Sequence, residues 1–181
     1  MNLDVFIAGF GGQGVLLLGN LLACAAIREG KNVSYFPAYG VEKRGGAATC
    51  TVVISAEEVG SPVVGRPQAA ILLNQLSLDK YFARIRSGGF ALVNTSLVDG
   101  ALPRSGDVEV LAIPMNEVAL EVGDARLVNM VAAGAWALKT GALTVASMEQ
   151  ALREVLPERN HRFIPLNVEA MRRGAAFVAE R

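Results

Sequence analysis

The chain is poor in the side chains that do chemistry by themselves. Its 181 residues hold two cysteines, Cys24 and Cys50, and one histidine, His161. An iron–sulfur cluster normally wants four thiolates and a zinc site a set of Cys and His ligands, so this chain holds neither alone. Cys24 falls inside an apolar helix pattern and Cys50 inside a strand pattern, and both read as small core residues. His161 stands among Arg159, Asn160 and Arg162 and reads as solvated surface. No nucleophile–base–acid set is visible, and no two carboxylates share an obvious context. No residue is therefore assigned a catalytic or metal-ligating role. An excess of one charge is missing too. Seventeen Lys and Arg balance seventeen Asp and Glu. Bases and aromatics are not interleaved, which excludes the usual nucleic-acid footprint. The longest apolar run, Val15 to Ile27, is broken by Gly19 and Asn20 and falls short of the ~20 residues of a membrane span. No basic segment precedes the first apolar stretch, so no signal peptide is read. A cytoplasmic protein without a membrane segment is the expectation.

Apolar residues make up 52% of the chain and charged residues 19%. That composition predicts a packed core, and the length suits a single domain over residues 1–181. Short apolar runs alternate with helical patterns. Strands are expected at Val5–Gly9, Asn32–Phe36, Ala47–Ser55, Ala69–Leu73, Phe90–Val93 and Val108–Ile113. Helices are expected at Gln13–Glu29, Leu76–Arg86, Asn116–Val122, Leu127–Leu138, Ser147–Leu156 and Asn160–Ala179. Ser147 is read as an N-cap, and Pro165 as marking the true start of the last helix. The alternation predicts an α/β fold with a largely parallel sheet covered on both faces. Asn32–Phe36 and Ala47–Ser55 follow one another without a helix, which hints that the third strand runs antiparallel.

Glycine is abundant where it matters. The first glycine loop reads Gly9-Phe10-Gly11-Gly12-Gln13-Gly14. It follows a strand pattern and opens a helix, where free backbone N–H groups favour an anion. The glycines allow either a tight turn with close helix–strand packing, or the approach of a partner or an anionic group. Gln13 can donate and accept at the helix start. A dinucleotide site would also want an acid at the end of the second strand. That strand ends at Phe36-Pro37-Ala38, and the nearest acid, Glu42, lies beyond it. The second loop reads Tyr39-Gly40-Val41-Glu42-Lys43-Arg44-Gly45-Gly46. Its charges are either solvated or aimed across an interface, and Arg44 suits bidentate carboxylate or phosphate recognition. Arg126 and Asn129 are three residues apart, so a helix would place both on one face.

These stretches resemble the gamma subunit, or gamma domain, of the 2-oxoacid:ferredoxin (acceptor) oxidoreductases. That family uses pyruvate, 2-oxoglutarate, branched-chain 2-oxoacids such as 2-ketoisovalerate, or indolepyruvate. Its Gly-x-Gly-Gly-Gln-Gly-Val stretch is matched by Gly9 to Val15. Its Tyr-Gly-x-Glu-x-Arg-Gly-Gly stretch is matched by Tyr39 to Gly46, and a third pattern by Arg126, Asn129 and Gly134. The resemblance runs from about Asp4 to Gly174. It implies a three-layer α/β/α domain with a mixed, mostly parallel sheet and a Rossmann-like start. It implies a complex that oxidatively decarboxylates a 2-oxoacid, passes electrons to ferredoxin and makes acyl-coenzyme A. Thiamine diphosphate, Mg2+ and iron–sulfur clusters would lie in partner alpha, beta and delta subunits. The thiamine diphosphate signature is absent here, and Gly123-Asp124-Ala125 does not replace it. The chain itself would be a docking component that can contact coenzyme A and can pair with itself when isolated. Its start at the first strand and its end after the last helix suggest the separate-subunit form. By this resemblance the interface or cofactor-contacting residues are Gly9, Gly11, Gly12, Gln13, Gly14, Tyr39, Gly40, Glu42, Arg44, Gly45, Gly46, Arg126 and Asn129. Two other readings stand beside it. One is a stand-alone NAD(P)-binding oxidoreductase. The other is a nucleotide-binding regulatory protein without catalytic activity.

Overall fold

The computed structural model describes residues 2–39, 46–103 and 106–180. Val5, Ile7 and their neighbours form β1 (Asn2–Phe10), which the glycine turn joins to α1 (Val15–Arg28). Two antiparallel strands follow, β2 (Asn32–Tyr39) and β3 (Ala47–Ser55). The chain then crosses to β4 (Ala69–Leu72), α2 (Gln75–Tyr81), β5 (Phe90–Asn94) and β6 (Glu109–Ile113). It ends in α3 (Met115–Val122), α4 (Val128–Thr140), α5 (Val145–Val155) and α6 (Ile164–Ala179). Among the described residues the sheet order is β2-β3-β1-β4-β5-β6. The pairs β1–β4, β4–β5 and β5–β6 are parallel. Only β3 runs against the rest, as the missing crossover helix predicted.

Side chains of a strand alternate between faces, and the core divides accordingly. Val5, Ile7, Ala69, Ile71 and Leu92 turn to a large core shared with α1 and α3–α6. Phe6, Ala8, Ala70, Leu72, Ala91 and Val93 turn to a smaller one under α2 and the 3-10 turn at Phe82–Arg84. This is the expected three-layer fold, with unequal layers. The smaller core stops at β1. Beyond it Phe36, Ala38, Thr49 and Thr51 line a cleft with Pro62, Val63 and Val64 of the irregular segment after β3. α1 is apolar nearly all round because β-strands, α4 and α5 surround it. Leu18, Leu21 and Leu22 are fully buried, each contributing about 1.5–3 kcal/mol.

Several boundaries differ from the sequence reading. β2 continues through Pro37 to Tyr39, because an edge strand tolerates a residue without an N–H. Thr144, not Ser147, caps α5, its Oγ1 accepting the Ser147 N–H at 3.1 Å. Ser147 instead donates its hydroxyl to Glu29 at the end of α1, at 2.6 Å. α6 begins at Ile164 with Pro165 in its first turn, and the residues before it form a 3-10 stretch. Cys50 is buried, whereas Cys24 is only half-buried. His161 is also half-buried, its Nε2 3.0 Å from the Leu156 carbonyl, so it is more than solvated surface.

Candidate functional site at the carboxyl ends of the strands

The glycine turn lies where the sheet order reverses. β1 connects through α1 to strands on one side, while β4 lies on its other side, and α1 and α2 lie on opposite faces. In open α/β sheets that crevice is where ligands usually bind. Here a side chain of the chain itself bridges it. Gln13 Oε1 accepts the Phe10 N–H and an Asn74 Nδ2–H, both at 2.9 Å. Gln13 Nε2 donates to the Leu73 carbonyl at 3.0 Å. Both ends of the amide are used inside the protein, tying the end of β1 to the end of β4. A series of asparagines extends this toward β6. Asn94 is fully buried. It donates to Leu73 O at 3.1 Å and to Asn116 Oδ1 at 2.9 Å, and accepts the Met115 N–H at 3.1 Å. The sequence reading missed Asn74, Asn94 and Asn116. Asn94 ends β5, Asn116 lies in the first turn of α3, and Asn74 stands between β4 and α2, which it caps; Asn at such strand–helix junctions signals capping.

The glycines of the turn divide by role. A Cβ at Gly9 would stand 2.6 Å from Gln13 Oε1 and 3.0 Å from Val15 Cγ2. Gly14 has φ of 72° at the N-cap of α1, a region side chains disfavour, and a Cβ there would overlap the Asn129 amide. These two serve packing. Gly12 has φ of 104° with no atom of the described residues crowding it, and Gly11 is similarly uncrowded by them. The Gly11 N–H donates to the Gly46 carbonyl at 3.1 Å, which joins the two glycine loops. Phe10 beside them is 41% exposed. Among the described residues no side chain caps α1, and its first turn carries no acid, so the positive end of the helix dipole has no counter-charge there.

Of the remaining candidates, Gly40, Glu42, Arg44 and Gly45 lie outside the described residues, and Tyr39 is placed only as the last residue of β2. Asn129 is buried and donates to the Gly14 carbonyl at 3.3 Å. Arg126 does not share its face. It sits in a 3-10 turn before α4, its side chain 80% exposed. Asn129 packs on Gly14 while Arg126 is held at the surface by Asp124, so the pair is not brought together. Arg126 is forked onto Asp124, with Nε 3.0 Å from both carboxylate oxygens and Nη2 2.6 Å from Oδ2. Those hydrogen bonds hold the Asp124 carboxyl below its usual range. Among the described residues no cluster of His, Cys, Asp and Glu is arranged to hold a metal ion. No helix among them is long and apolar enough to cross a membrane.

A Rossmann-like start, a glycine turn tied to a second glycine loop and an amide-filled crevice define a class of α/β domain whose exposed rim is made of backbone. The chain belongs to the pyruvate ferredoxin/flavodoxin oxidoreductase family, which it matches over residues 4–177. It is 40% identical over 172 residues to the ketoisovalerate oxidoreductase subunit VorA of Methanothermobacter marburgensis, covering 94% of this chain and 35% of that protein. It is 36% identical over 160 residues to the 2-oxoglutarate synthase subunit KorC of Methanocaldococcus jannaschii, covering 87% of this chain and 86% of that one. The solved gamma subunit of a keto/oxoacid ferredoxin oxidoreductase from Geobacter sulfurreducens superimposes with a TM-score of 0.83 at 33% identity, over 99% of both chains. The chain thus spans about a third of the ketoisovalerate relatives it matches and nearly the full length of a gamma subunit.

Proposed function

We propose that this chain is the gamma component of a multi-subunit 2-oxoacid:ferredoxin oxidoreductase, acting in the cytoplasm as one gamma domain over residues 1–181. The complex decarboxylates a 2-oxoacid oxidatively, reduces ferredoxin and makes acyl-coenzyme A. Thiamine diphosphate, Mg2+ and the clusters belong to alpha, beta and delta partners. This chain contributes contacts. The bond from Gly11 to Gly46 carries the reading. It brings Gly46, the last residue of the second family motif, onto the first, and among the described residues Gly11 and Gly12 are uncrowded. Gly11, Gly12 and Gly46 let a partner chain or coenzyme A come close, while Gly9, Gln13, Gly14 and Asn129 hold the turn from behind. By the family resemblance Tyr39, Gly40, Glu42, Arg44 and Gly45 belong to the same contact, and so does the exposed Arg126.

Co-expression with the alpha and beta chains of its own gene neighbourhood tests this. The expected outcome is stoichiometric co-elution and coenzyme A-dependent reduction of ferredoxin by a 2-oxoacid. Arg44→Ala and Glu42→Ala should weaken assembly or raise the coenzyme A requirement while leaving the melting temperature of the free chain unchanged. A chain that never co-elutes, or variants with wild-type assembly and kinetics, would overturn the reading.

A further inference from the structure

A second concavity lies on the helical side, one turn of α1 away from the glycine loop. It encloses about 200 Å³ and is lined by Leu17 of α1, Leu127, Leu156 and Leu166, with Phe163 at its side. Arg126 and Asp124 also line it. Its chemistry is lopsided. The walls are mainly apolar, with Asn160 and Asn167 among them, and the charged group with spare bonding capacity is a guanidinium. Arg126 binds Asp124 through its backbone N–H, Nε and Nη2. Both Asp124 oxygens are therefore engaged, and the carboxylate has little left to offer a cation. Among the described residues Nη1 of Arg126 has no hydrogen-bond partner, and the fork onto Asp124 orients the 80% exposed guanidinium. Arg162 stacks 4.7 Å from the ring centroid of Phe163, a lining residue, and adds a second positive charge nearby. A concavity with apolar walls and one preoriented arginine selects a ligand with an aliphatic stem and an anionic, planar head. The volume is below that of drug-sized sites, which limits the stem to a short chain.

We infer that this pocket binds a small aliphatic carboxylate, its stem against Leu17, Leu127, Leu156 and Leu166 and its head on Arg126. Asp124 acts as the positioning residue for that arginine. The site is built wholly from this chain, so it needs no partner subunit, and its failure would leave the proposed assembly untouched.

Calorimetric titration of the full chain with 4-methylpentanoate, with its neutral amide 4-methylpentanamide and with inorganic phosphate tests the inference. The carboxylate should bind at one site, and amide NMR shifts should map it to Arg126, Asn160 and Leu166. The amide should bind about tenfold more weakly, the loss expected for one charge-assisted bond. Arg126→Gln should produce the same tenfold loss for the carboxylate and none for the amide. Leu166→Ser should weaken both ligands alike. Absence of saturable carboxylate binding at millimolar concentration overturns the inference. So does carboxylate binding that Arg126→Gln leaves intact in a normally folded chain. Phosphate that competes at the same residues with equal affinity overturns the aliphatic part, because the pocket would then be an anion site only.

Discussion

Gly134 of α4 lies directly beneath the Met171 carbonyl of α6, and a Cβ at Gly134 would overlap that carbonyl. The relationship is reciprocal. A Cβ at Gly174 of α6 would overlap the carbonyl of Val131 in α4. The two helices cross backbone on backbone. Since a carbonyl in a helix cannot step aside as a flexible side chain does, Gly134→Ala and Gly174→Ala should each cost about 1–3 kcal/mol or more through overpacking. Urea unfolding should show the midpoint falling in both. An unchanged midpoint in either would mean that the helices separate at little cost.

Acid should unfold the protein partly through Glu29. Burial raises its pKa, but hydrogen bonds from Lys31, Ser147 and Thr144 outweigh this and bring it to about 2, from the usual 4.5. The folded state therefore holds the carboxylate more strongly than the unfolded one. That stabilisation is complete above the unfolded value of 4.5 and drains away as pH falls toward 2. With solvent still reaching the group, its worth is on the order of 1–2 kcal/mol. Glu29→Gln should lose about that much at neutral pH and flatten the stability profile between about 2 and 4.5. A variant whose profile kept the wild-type slope in that window would show that other carboxylates govern acid unfolding.

Cys50 should be inert in the folded protein. Burial pushes its thiol up to about 12, so almost no thiolate is present at pH 8, and the thiolate is the reactive form. Burial also raises Cys24. A disulfide reagent should label Cys50 only after denaturant is added. Labelling of Cys50 in native buffer at the rate of a free thiol would contradict the packing against α1.

Gln13→Leu should loosen the site without touching its rim. The substitution strands the Phe10 N–H, an Asn74 Nδ2–H and one bond to the Leu73 carbonyl. Leaving such groups unpaired costs about 1–3 kcal/mol where water cannot replace the partner. Hydrogen exchange should quicken at Phe10 and around Asn74, and global stability should drop. Unchanged exchange at Phe10 would mean that solvent already serves that N–H.

Much of the fold could be read from the chain because the strands are apolar on both faces and the turns carry glycine. β3 matches its expected bounds, and its reversed direction followed from the absence of a crossover helix. What stayed hidden depends on contacts between distant residues. Ser147 looked like a cap, but only the approach of Glu29 across 118 residues explains why its hydroxyl turns away from that role. Arg126 and Asn129 have helical spacing, yet Asp124 holds one at the surface while the other packs on Gly14, which only the folded arrangement decides. The thinness of the second layer was illegible too. Thr49 and Thr51 alternate with Cys50 and Val52 as any half-buried strand would, and what lies beside the threonines is decided by the irregular segment after β3, which has no periodicity to read.

Gln13 has a consequence for how anything reaches the glycine turn. In sheets of this shape a long thin ligand normally slides edge-on into a slot between neighbouring strands, and the protein grips it from two sides. Here the slot is plugged from within, and the plug is fastened to both strands. Among the described residues, what stays open above the plug is bare main chain at Gly11 and Gly12.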